Sequence, residues 1–87
     1  MQKTLHSPES VALVKRLISL REAAGMTQRD LAKKLKRAPS VVARIETGER
    51  RLDVIEFVGY CRALGAKPEK VIRGLVQDLG GLEIRKR

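Results

Sequence analysis

The stretch TQRDLAKKLKRAPSVVARIETGERR, Thr27 to Arg51, decides the fold. It reads as two short helices with a turn of about three residues between them. Thr27 with Asp30 three residues on has the spacing of a capping box, so a helix begins there. Leu31, Ala32 and Leu35 fall on one side of it, as a buried stripe does. Lys36 to Ala38 make a tight connection. Pro39 fits the first turn of a second helix, where its missing N–H removes no helical hydrogen bond. Val42 and Ile45 then point inward, and Gly48 supplies the stop. Two helices on such a short turn are the helix-turn-helix arrangement, which leaves the outer face of the second helix free to enter a DNA major groove.

Working outward, the same signals recur. Ser7, Pro8 and Glu9 form a helix start: a cap, a first-turn proline and an acid at the positive helix end. Leu13, Leu17, Leu20 and Ala24 follow at helical spacing, and Gly25 ends the run. After Gly48, Asp53 and Glu56 make a second capping pair, with Leu52 and Phe57 at the two positions of a hydrophobic staple. Ile55, Val58, Cys61 and Leu64 read as that helix's core stripe, closed by Gly65. Pro68 opens a last helix with Val71, Ile72, Leu75, Val76 and Leu79 on one side, broken by Gly80 and Gly81. The expectation is an all-α chain of five helices. It would form a single domain over 1–87, with a core at about 8–79, a short arm at 1–7 and a basic tail at 80–87.

Composition narrows the partners. The 87 residues carry 19 Lys and Arg against 10 Asp and Glu, a net charge of +9, with a pI near 10.5. A polyanion partner follows, nucleic acid before an anionic membrane surface. Between Arg29 and Arg51 the basic residues are 29, 33, 34, 36, 37, 44, 50 and 51, against acids at 30, 46 and 49. Most hydrogen bonds from protein to DNA go to phosphates, so such an excess suits a backbone anchor. Lys33, Lys34 and Lys36 taken singly are read equally well as a solvated face.

Other chemistries find little support. A single cysteine excludes an intrachain disulfide and a cysteine zinc site. Cys61 falls at core spacing and reads as a buried thiol. His6 lies far from it in sequence, so a catalytic pair is not expected. No glycine-rich phosphate loop or metal-ligand spacing appears. The N-terminal MQKTLHSPES lacks the apolar run of a signal peptide, and no stretch is long enough to span a bilayer. The expectations are no enzyme, no cofactor, no metal and no membrane.

The text LRxxxGMTQRDLAKKL, from Leu20, and SVVARIETGERRLDVIEF, from Ser40, resembles the lambda-repressor-like, XRE-type helix-turn-helix family. The resemblance spans roughly residues 11 to 75, with the TQ start, the LA pair and the IExG ending together at family spacing. It implies a five-helix DNA-binding domain, usually a homodimer on a palindromic operator, in a bacterial cytoplasm and associated with the nucleoid. It also implies roles. Pro39, Ser40, Val41 and Arg44 stand at base-reading positions. Arg44 is suited to a paired hydrogen bond with guanine and Val41 to a thymine methyl, though Val41 is equally placed to pack on Leu31 or Leu35. Gln28, with Thr27, Arg29, Lys36, Arg37, Arg50 and Arg51, belongs to the phosphate and backbone set, and the start of Gln28's helix suits a phosphate. Arg21 and Glu46 match a structural ion pair.

Two departures from the family pattern stand out. Pro39 replaces a base-reading glutamine, and Ala38 replaces the usual Ser or Thr cap. The function implied is a double-stranded DNA-binding transcriptional regulator, a homodimeric repressor. The alternative is the antitoxin of a toxin–antitoxin pair, which would use the last helix or the LEIRKR tail to grip a partner protein. Val71, Ile72, Leu75, Val76 and Leu79 are the candidate dimer surface, with closure of the monomer core as the competing use of the same stripe.

Overall fold

A computed structural model describes residues 7–80; His6, the arm before Ser7 and the LEIRKR tail lie outside the described residues. Five helices follow one another: α1 (Pro8–Ala23), α2 (Gln28–Leu35), α3 (Pro39–Glu46), α4 (Val54–Leu64) and α5 (Pro68–Asp78). No strand occurs among the described residues.

The caps explain the boundaries. The Ser10 N–H donates to Ser7 Oγ at 3.1 Å, starting α1. At α2, the Asp30 N–H donates to Thr27 Oγ1 (3.0 Å) and the Thr27 N–H donates to Asp30 Oδ2 (2.9 Å), a complete capping box. The same reciprocal pair joins Asp53 and Glu56 at α4, with bonds of 2.7 and 3.1 Å. Helix α3 has no such device. Its capping residue, Ala38, makes no side-chain bond, and only Pro39 presets the first turn.

The core gathers Leu17, Leu31, Ala32, Val42, Ile45, Phe57, Tyr60, Cys61, Leu64 and Val71. Helix α3 packs on α1 and α2, α2 also on α4, and α5 on both α1 and α4. At the two staple positions, Phe57 is buried and Leu52 is packed against the core. Two expected stripes shift. On α4 the buried residues are Phe57, Tyr60, Cys61 and Leu64, while Ile55 is 80% exposed and Val54 74%. Both lie in the first helical turn, Val54 on the groove toward α5 and Ile55 on the groove toward α2. On α1, Ala24 falls just past the last helical residue and is exposed. Leu17 is the buried member of that stripe, with Leu13 and Leu20 half-buried against the core.

Arg16 ties α1 to α5. Its Nη2 lies 2.8 Å from Asp78 Oδ2 and donates to the Gly74 carbonyl at 3.2 Å. The guanidinium lies so close to the α5 backbone that a Cβ on Gly74 would stand 2.6 Å from Arg16 Nη1. A glycine within α5 therefore makes room for this cross-helix contact.

Candidate nucleic-acid interface

Helix α3 presents two unlike faces. Val42 and Ile45 are buried, while Pro39, Ser40 and Arg44 are exposed. Apolar residues three apart hold the helix on the core, and Arg44 between them and the first-turn residues Pro39 and Ser40 are left outside. Arg44 keeps 60% of its side chain exposed, with Glu49 Oε1 3.7 Å from its Nε. A pair so open and so loose is worth little and leaves the guanidinium free to find another acceptor. Val41 is half-buried against the core and shares a groove with Leu35, so its packing use is realised here.

Glu46, at the last turn of α3, is the hub of a partly buried network. Arg21 donates to it twice, from Nε at 2.7 Å and Nη2 at 3.1 Å, and also donates from Nη1 to the Met26 carbonyl at 2.7 Å. The Arg21 and Glu46 side chains are 12% and 5% exposed, so each needs the other in place of water. The hydrogen bond to Glu46 raises the Arg21 pKa. The family resemblance implies this pair. It does not reveal the third member: Gln28 Nε2 donates to Glu46 Oε1 at 2.7 Å. The amide of Gln28 is therefore oriented by α3 while its backbone sits in the first turn of α2. Tyr60 is buried with its hydroxyl unpartnered, and burial, reinforced by the Glu46 charge, pushes its pKa up.

The remaining backbone candidates occupy the turn, the loop and the start of α2. Thr27 and Arg29 are exposed there, the Thr27 hydroxyl being engaged as a cap. Lys36 is exposed in the left-handed conformation, with φ of 58°. Arg37 and Arg50 come from opposite sides of α3, yet both reach Glu56 of α4. Arg37 Nη2 donates to Glu56 Oε2 at 3.3 Å. Arg50 donates from Nη2 to Oε2 at 2.8 Å and from Nη1 to Oε1 at 3.3 Å. Glu56 was legible only as a cap; its second use depends on tertiary packing. Arg51 is exposed beside Arg50, and its carbonyl accepts from Arg50 Nη1 at 3.3 Å.

The expected dimer stripe divides. Val71 is 4% exposed and belongs to the monomer core, so it is spent inside the chain. Leu75 and Leu79 are half-buried, and Ile72 and Val76 are 45% and 62% exposed. Ile72 and Leu75 line a groove with Val54, Phe57 and Val58, which joins the outer side of α5 to α4. No group of three metal-ligating side chains occurs among the described residues, and no described helix is long and apolar enough to cross a membrane.

Residues 12–72 match a family described as a helix-turn-helix domain. Among solved structures, an XRE-family-like protein from Pseudomonas syringae pv. tomato is 43% identical, with a TM-score of 0.80 over 86% of this chain and 92% of that one. The restriction-modification controller protein C.AhdI from Aeromonas hydrophila is 30% identical, with a TM-score of 0.65 over 70% of this chain and 92% of that one. The clp gene regulator ClgR from Corynebacterium glutamicum is 25% identical, with a TM-score of 0.72 over 92% of this chain and all of that one. No curated protein sequence matches the chain. The five helices, the match across residues 12–72 and the 43% identity agree: the chain belongs to the XRE-type helix-turn-helix family of DNA-binding regulators.

Proposed function

We propose that this protein is a sequence-specific double-stranded DNA-binding repressor that acts as a homodimer on a palindromic operator in the bacterial cytoplasm. The observation that carries the reading is the outer face of α3: Ser40 and Arg44 exposed on a helix that Val42 and Ile45 fix to the core. In this reading Arg44 makes the main base contact, Ser40 and Val41 add to it, and Pro39 shapes the first turn without donating a bond. Thr27, Gln28, Arg29, Lys36, Arg37, Arg50 and Arg51 grip the sugar–phosphate backbone. A net charge of +9 supports the electrostatic part of that grip.

The test is a binding titration against duplexes recovered by selection from random sequence. Arg44→Ala is expected to cost about 1–3 kcal/mol on the selected site and to relax preference at one base position. Unchanged affinity and unchanged preference in Arg44→Ala would remove the residue from the reading role. ClgR is a gene regulator and C.AhdI a restriction-modification controller, which supports regulation as the biological output here.

A further inference from the structure

We infer that Glu56 is a positioning residue for DNA backbone binding, because its one carboxylate holds Arg37 and Arg50, which flank the recognition helix, as a preset pair. The inference rests on the reading of those two arginines as backbone contacts.

Glu56 is itself firmly placed. It is the third residue of α4, its N–H donates to Asp53 Oδ1 at 2.7 Å, and its Oε1 accepts from the Asp53 N–H at 3.1 Å. Its side chain is 21% exposed, against 45% for Arg37 and 30% for Arg50. A helix end stitched into the fold thus presents one carboxylate to two long side chains, of which Arg50 also donates to the Arg51 carbonyl. Arg37 stands two residues before Pro39, and Arg50 four residues after Glu46, so the pair brackets α3.

Two guanidiniums share the one Glu56 carboxylate, and Asp53 places a second carboxylate near Arg50. Each guanidinium has five N–H donors, and the bonds to Glu56 do not use them all. The rotamer freedom that a phosphate contact would otherwise remove is already restricted in the free protein, which is how preorganisation raises affinity. Coulomb's law acting alone predicts the opposite sign, because deleting a carboxylate beside a polyanion removes repulsion. The two effects are separated by the direction in which a neutral substitution moves binding.

The experiment measures anisotropy of a short, labelled, mixed-sequence DNA duplex, which reports backbone contacts without base reading, across a salt series. The proteins are the wild type, Arg37→Ala, Arg50→Ala, Arg37→Ala/Arg50→Ala, Glu56→Gln, Glu56→Asp, and Glu56→Gln in the double-arginine background. Gln keeps an oxygen for the Asp53 N–H, so the cap survives. Circular dichroism at the assay temperature verifies the fold, and Glu56→Asp keeps the charge while shortening the reach. Each arginine variant is expected to weaken binding and to lower the slope of log affinity on log salt by about 0.9. Glu56→Gln and Glu56→Asp are expected to weaken binding by roughly threefold or more, as lost preorganisation does. Glu56→Gln is expected to change nothing once both arginines are gone.

If the arginine variants weaken binding but Glu56→Gln binds as well or better, Glu56 positions nothing and the inference is overturned while the backbone contacts stand. If the effect of Glu56→Gln persists in the double-arginine background, it works by another route and the inference again fails. If neither arginine variant moves affinity or slope, the underlying reading of Arg37 and Arg50 is what fails.

Discussion

Lys36 stands where three other helix ends carry glycine. At Gly25, Gly48 and Gly65 the chain turns left-handed, with φ of 72°, 85° and 75°. In each case the glycine N–H bonds three residues back and the following N–H five residues back. This is the Schellman termination. Helix α2 ends with the same two bonds, Lys36 N–H to Lys33 O and Arg37 N–H to Ala32 O, but with a lysine at φ 58°. An L-residue there costs about 1–2 kcal/mol. Glycine removes that cost and returns part of it as unfolded-chain entropy, about 0.5–1 kcal/mol. Lys36→Gly is therefore expected to stabilise the fold by about 0.5–1 kcal/mol, raising Tm by a few degrees in a thermal melt followed by circular dichroism. A lower Tm would mean that the lysine side chain stabilises this turn by more than its backbone strain costs. The three glycine stops are plain in the sequence because composition announces them. Lys36 is not, because the same local bonds are made there with no glycine to mark the left-handed residue. The Gln28–Glu46 bond is hidden for a different reason: its partners lie 18 residues apart, and only the docked helices bring them to 2.7 Å.

Helix α4 shows which parts of an element can be read from its sequence. Its start is legible because the capping box and the Leu52–Phe57 staple are local patterns. Its buried face is less so. The spacing of Ile55, Val58, Cys61 and Leu64 competes with that of Phe57, Tyr60, Cys61 and Leu64, and periodicity does not say that Tyr60 goes inside. The cap also sets an acid limit. The Arg50 hydrogen bond first, then the Asp53 N–H, lower the Glu56 pKa from 4.5 to about 2. Asp30, bonded to the Thr27 N–H, is lowered as well. A carboxylate whose folded-state pKa is depressed contributes stability above its unfolded value and loses it as pH falls through the folded one. Tm is expected to hold near neutrality and to fall between about pH 5 and pH 2, with a shallower fall in Glu56→Gln. Equal acid slopes for the two proteins would show that Glu56 is not a source of the loss.

At the scale of the whole molecule, the unspent apolar surface has the most to say about assembly. The five described helices close their core with few large side chains, and α5 contributes Val71 to it. The same helix leaves Ile72 and Val76 outside, and across the groove from Ile72 stands the exposed Val54 of α4. We propose that the apolar side chains grouped on these two packed helices form an interaction surface. A second copy is the occupant that the DNA-binding reading calls for, since a two-fold axis would set two α3 helices roughly 34 Å apart, one turn of duplex. Ile72→Glu/Val76→Glu would place two carboxylates on that surface without touching Val71 or α3. Light scattering is expected to show a dimer for the wild type and a monomer for the variant. Affinity for a palindromic duplex is expected to fall by about 10²–10⁴, the effective-concentration gain of two linked sites, with half-site binding retained. A variant that remains dimeric would move the interface off α5. A wild type that is monomeric at every concentration would leave the same surface for a different protein, which is the arrangement expected of an antitoxin gripping its toxin.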